Sequence, residues 1–128
     1  IKSSSICVGG QLMIERIDTL CMKVKNVEKS SEWYENLLGF SMVFKGEGYR
    51  VLRIGDESNV PLTIEEGNIT HNADQSYPIF YSKDIQGLYE KLKEHNVRVS
   101  ELHDDGVNHF FDFFDLDDNK LQVCYFKE

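Results

Sequence analysis

The chain has 128 residues, 41% of them hydrophobic and 12% aromatic, which suits one domain able to bury its own core. Its formal net charge of −8 lacks the basic surplus of a nucleic-acid partner, and no run approaches the ~18 apolar residues of a membrane-spanning helix. The 3 cysteines (Cys7, Cys21, Cys124) are odd in number and widely spread, so no disulfide framework or CxxC motif is expected and a cytoplasmic setting is.

The opening IKSSSICVGGQLM has no periodicity and no signal-peptide core. Residues 1–12 are therefore expected to be an added leader or disordered arm, with Met13 the natural start and residues 13–128 the domain. Residues 17–24, IDTLCMKV, read as a strand that ends before Asn26, a good helix N-cap. Glu28 suits the positive end of the helix dipole. Val27, Trp33, Tyr34, Leu37 and Leu38 form an apolar stripe, and Gly39 provides the stop. Three strand-like runs follow, SMVFK, YRVLRI and VPLTIEE, punctuated by GEG and GDESN.

A polar linker, GNITHNADQS (67–76), leads into a second copy of the same order. YPIFYS reads as a strand and Asp84 as an N-cap. Ile85, Leu88, Tyr89 and Leu92 fall on one helical face, and Asn96 stands where Gly39 stood. Strands RVSEL, NHFFDFF and KLQVCYF complete the copy. The expected class is thus α+β, two βαβββ modules in tandem at about 14–67 and 77–128.

Asp115, Asp117 and Asn119 match the first half of a D-x-D-x-N calcium loop. Lys120 and Phe126 replace the glycine and the bidentate glutamate such a loop needs, so a polar turn between two strands is expected instead. The four histidines, His71, His95, His103 and His109, read as ordinary loop and strand-edge residues. G-x-S-x-G, P-loop and dinucleotide fingerprints are missing from the sequence.

IDTLCMKVKNVEKSSEWYENLLGF, FYSKDIQGLYEKLKEHNV and FFDLDDNKLQV occur in an order and spacing that resembles the vicinal oxygen chelate superfamily of glyoxalases, bleomycin- and fosfomycin-resistance proteins and extradiol dioxygenases. The resemblance covers Ile14 to Phe126 and implies curved mixed sheets around a cleft. It also implies metal-ligand positions, which fall on Thr19, near Pro61, on Tyr77 and on Gln122. Threonine, proline, tyrosine and glutamine make a poor cage, because iron, zinc, nickel or manganese needs imidazole or carboxylate donors. The expectation is therefore no metal and no cofactor.

Alternation from those positions places Cys21 and Lys23 with Thr19, Thr63 and Glu65 with Pro61, Ile79 and Tyr81 with Tyr77, and Cys124 and Phe126 with Gln122. In FFDFFDLDDNKLQ a three-residue loop, Leu116 to Asp118, sets Asp112 opposite Gln122, whereas a two-residue loop sets Phe113 there. The resemblance favours the first register, with Asp115, Asp117 and Asp118 facing solvent. Asp112 would then bind a cation among Phe110, Phe114 and tyrosines, or pair with Arg50 or Arg53.

The expected ligand-binding set is Thr19, Cys21, Glu65, Tyr77, Tyr81, Phe110, Asp112, Gln122 and Cys124, with no catalytic residue assigned. The function expected is metal-free binding of a small molecule, such as sequestration of a cationic aromatic compound, by a homodimer. The alternative is a glyoxalase- or dioxygenase-like lyase or isomerase with a noncanonical site.

Overall fold

The computed structural model describes residues 13–128, so the expected leader at 1–12 lies outside the described residues. Chain order is β1 (Leu20–Val24), α1 (Val27–Leu38), β2 (Ser41–Gly46), β3 (Tyr49–Arg53), β4 (Leu62–Glu66), β5 (Ile79–Tyr81), α2 (Ile85–Glu94), β6 (His103–Asp104), β7 (Asn108–Phe114) and β8 (Lys120–Phe126).

Local chemistry sets the helix ends. The Asn26 side chain accepts a hydrogen bond from Lys29 N at 2.9 Å, satisfying a donor that has no partner inside α1. Gly39 closes that helix at φ 77°, where a Cβ would be strained, and its N–H donates to Glu35 O at 3.1 Å. Asp84 repeats the cap for α2 by accepting from Gly87 N at 3.1 Å. Asn96, at φ 61°, takes the left-handed position after that helix.

The strands form two sheets, ordered β1-β4-β3-β2 and β5-β8-β7-β6. In each, the strand before the helix pairs in parallel with the last strand of its module, and the other pairings are antiparallel.

The expected strand RVSEL becomes an isolated bridge, Val99 to Phe113, followed by β6. Ser100 explains the break. Its hydroxyl accepts Asp112 N at 2.9 Å and its carbonyl accepts the Tyr89 hydroxyl at 3.0 Å, so it cannot run a regular ladder. The first strand also starts later than expected, at Leu20, whose N–H finds Pro61 O at 3.1 Å; residues 13–18 are exposed.

Alternation gives each sheet a buried face and an open face. Leu52, Leu62 and Ile64 of the first sheet and Phe111, Phe113, Leu121 and Val123 of the second join Tyr34, Phe40 and Leu92 in one hydrophobic core. Helix α1 packs across β2, β3 and β4, and α2 packs against β8. Since both buried faces meet in that core, the open faces point away from it.

Polar bonds also join the modules. The buried Tyr34 hydroxyl donates to Asp115 Oδ2 at 2.7 Å, and Asn119 Nδ2 donates to Lys23 O at 2.9 Å. Asp115 is therefore buried, 6% exposed, rather than turned to solvent as its place in an acidic turn suggested.

Candidate functional site

On the second sheet, Phe110 and Asp112 of β7, Gln122 and Cys124 of β8 and Tyr81 of β5 share the open face, because the residues alternating with them fill the core. The three-residue turn sets the register. Asp115 N bonds Asn119 O at 3.1 Å, Asp118 adopts φ 61°, and Asp112 falls opposite Gln122. Gln122 Nε2 then donates to Asp112 Oδ1 at 2.9 Å.

The expected arginine partners of Asp112 are replaced by Lys120. Its ammonium lies 3.8 Å from Asp112 Oδ2 and 4.1 Å from the centre of the Tyr77 ring. Arg50 is instead buried, donating through Nη1 to Gly46 O and Tyr49 O, each at 2.9 Å. Lys120 was legible as a face-mate of Gln122, two positions before it, although its reach to Asp112 and Tyr77 was not.

On the first sheet, Thr19, Cys21, Lys23, Thr63 and Glu65 share the open face. Thr19 Oγ1 donates to Pro61 O at 3.0 Å and lies 2.7 Å from Thr63 Oγ1. Lys23 and Glu65 form an ion pair that lowers the Glu65 pKa, first through the hydrogen bond and then through charge. The Cys21 thiol lies 3.9 Å from Glu65 Oε1, and its pKa is raised, chiefly by burial and next by the Glu65 charge. Burial also raises Cys124. Both thiols are therefore poorly ionised at neutral pH, which is unfavourable for a nucleophile.

A groove of about 380 Å³ runs between the modules. It is lined by β1 from Leu20 to Lys23, by the linker, and by Tyr77, Pro78 and Asn119. It brings Cys21 and Tyr77 together across the two modules. Thr19 and Glu65 stay on the first open face, and Tyr81, Phe110, Asp112, Gln122 and Cys124 stay on the second.

The register also decides which side chains could hold a divalent metal. β1 pairs Cys21 with Thr63, and β5 pairs Ile79 with Gln122, so Thr63 rather than Pro61 is the counterpart of Gln122. The set becomes Thr19, Thr63, Tyr77 and Gln122, all neutral oxygen groups, with the Thr19 hydroxyl hydrogen committed to Pro61 O. Lys120 places a positive charge on Tyr77. Among the described residues, no three His, Cys, Asp or Glu side chains converge as a metal site. These residues do not fit a divalent metal.

A family model described as the Glyoxalase/Bleomycin resistance protein/Dioxygenase superfamily matches residues 16–123. The metallothiol transferase FosB of Staphylococcus epidermidis is 29% identical over 120 residues, which span 87% of this chain and 84% of that protein. FosB of Staphylococcus haemolyticus is 28% identical over the same length. Among solved structures, the fosfomycin resistance protein FosX of Listeria monocytogenes superposes with a TM-score of 0.75 at 16% identity, covering 90% of this chain and 96% of that one. A glyoxylase/bleomycin resistance protein/dioxygenase domain from Frankia sp. EAN1pec gives 0.74 at 15% identity, covering 90% and 94%. These structural likenesses bear on the fold.

Proposed function

The chain belongs to the Glyoxalase/Bleomycin resistance protein/Dioxygenase superfamily, and we propose that residues 13–128 act there as a metal-independent small-molecule-binding unit. The observation that carries this reading is that the positions the family resemblance implies for metal ligands, in the observed register, hold Thr19, Thr63, Tyr77 and Gln122, none of them an imidazole or carboxylate, with Lys120 placed over Tyr77. The ligand lies on the open face of the second sheet. Phe110, Tyr77 and Tyr81 offer aromatic surface, and Asp112 offers a carboxylate that Gln122 holds in place.

A cationic aromatic compound suits that face, although it must compete with Lys120 for Asp112. The open faces also leave large apolar side chains uncovered, with Ile79 at 56% and Phe44 at 54% exposure. A second copy of the chain would cover them, making a homodimer. The free thiols Cys21 and Cys124 suit a reducing cytoplasm.

Native mass spectrometry of protein purified without added metal tests the reading. The expected species is a dimer carrying a small organic ligand or able to take up a cationic aromatic dye. One tightly held divalent ion per chain would overturn it. The 29% identity to a metallothiol transferase supports the alternative, an enzyme with a noncanonical site. Turnover of a thiol and a small electrophile would favour that alternative.

A further inference from the structure

The open face of the first sheet also carries an arginine. Arg53 is the last residue of β3, and its Nε is shielded from solvent without a hydrogen-bond acceptor among the described residues. Arg53 forms no ion pair among those residues. Asp56 feels its charge, but one Asp56 carboxylate oxygen is engaged by Ser58 N and Oγ. An arginine is always charged, and leaving a sheltered N–H donor such as this Nε unmatched is costly.

The register shows what faces it. Leu62 pairs with Leu20 on one side and Leu52 on the other, so one residue earlier Pro61 sits between Thr19 and Arg53. All three belong to the open face, since Leu52 and Leu62 are in the core. Pro61 has no side-chain polar group and makes a low floor. Thr19 donates to Pro61 O, so the Thr63 hydroxyl hydrogen can turn either to Thr19 Oγ1 or to an incoming oxygen. The nearby Glu65 carboxylate is tied to Lys23 and does not answer Arg53.

We propose that Arg53, Thr19 and Thr63 form a subsite over Pro61 for an oxyanion, the carboxylate or phosphate-type group of a ligand. The guanidinium supplies a planar fork of charged donors on one side, and the hydroxyl pair supplies a neutral donor on the other. The subsite deepens the proposed binding role, on which its biological meaning rests, by naming a charged group the ligand brings. The Asp112 face and this subsite lie on different sheets.

The test follows the arginine Nε–Hε signals by NMR while inorganic phosphate and acetate are added separately against chloride at matched ionic strength. The Arg53 signal should move saturably with at least one anion, and the stronger of the two identifies the class. Arg53→Gln should weaken that binding at least 10-fold, and Thr63→Val several-fold, while Arg98→Gln on the other module leaves it unchanged. Arg53→Lys keeps the charge without the fork and should also weaken binding, which covers the case in which Arg53→Gln fails to fold. The proposal is overturned if neither anion gives saturable movement, if folded Arg53 variants bind like the parent, or if Arg98→Gln loses as much, which would mean an adventitious ion only. Dye titration against Asp112 variants reads the second sheet alone, so this subsite and the binding role can fail separately.

Discussion

Replacing Tyr34 by phenylalanine removes one oxygen from the seam between the modules. The ring is 0% exposed, and its hydroxyl donates to Asp115 Oδ2 at 2.7 Å. A hydrogen bond to a charged acceptor contributes about 1.5–3 kcal/mol. Asp115 keeps its bonds from Asp117 N, Asn119 N and Asn119 Nδ2, each at 2.9 Å, so the variant does not strand the carboxylate. The lower part of the range applies, about 1.5–2 kcal/mol, equivalent to a Tm loss of about 5–10 °C for a chain of this size.

Alkali adds a second readout. The Tyr34 pKa is raised well above 10.0, first by burial and then by the Asp115 charge. A raised pKa means that the unfolded state loses its proton first. The Tyr34 contribution is therefore fully present below about pH 10 and is lost as pH climbs toward the folded value. Urea unfolding from pH 7 to 11 should show the parent's advantage over Tyr34→Phe narrowing above about pH 10. A loss below about 0.5 kcal/mol at pH 7, or parallel alkaline profiles, would refute the reasoning.

Asp112→Asn should weaken a cationic aromatic dye by less than the full ~1.5–3 kcal/mol of a charged hydrogen bond, because Lys120 already offsets part of the charge. Equal affinities for parent and variant, measured by fluorescence titration, would remove Asp112 from the site. Asp118→Gly should stabilise the fold by about 0.5–1 kcal/mol in urea unfolding, since φ 61° strains a side chain and the Arg98 ion pair it gives up is exposed. Elemental analysis after mild purification should find far less than one zinc, nickel, iron or manganese ion per chain, and EDTA should leave ligand binding unchanged.

Features set by neighbours in the chain were legible in the sequence. Asn26, Gly39 and Asp84 announce helix ends because caps act within three or four residues. The FFDLDDN turn left two registers open, and the family resemblance pointed to the Asp112–Gln122 pairing that forms. Features set by distant partners were not. Asp115 reads as a solvent-facing acid because the tyrosine that buries it is 81 positions away. RVSEL looks like a strand because Ser100's ties to Tyr89 and Asp112 leave no periodic trace. Counting from one strand placed a candidate ligand on Pro61, and only the paired ladder moves that position to Thr63.

The parallel strand pairs bear on the order in which the chain can assemble. Thr19 waits for Thr63, 44 positions later, before the first sheet can close beside it. Loop-closure entropy makes such distant pairings slow compared with the β2–β3 hairpin. During synthesis the first module can collapse early, but its Tyr34 hydroxyl has no acceptor until the turn at Asp115 has emerged. The seam is therefore among the last contacts to form. Weakening it should speed unfolding more than it slows folding, so a chain altered there would form at a near-normal rate and persist for a shorter time.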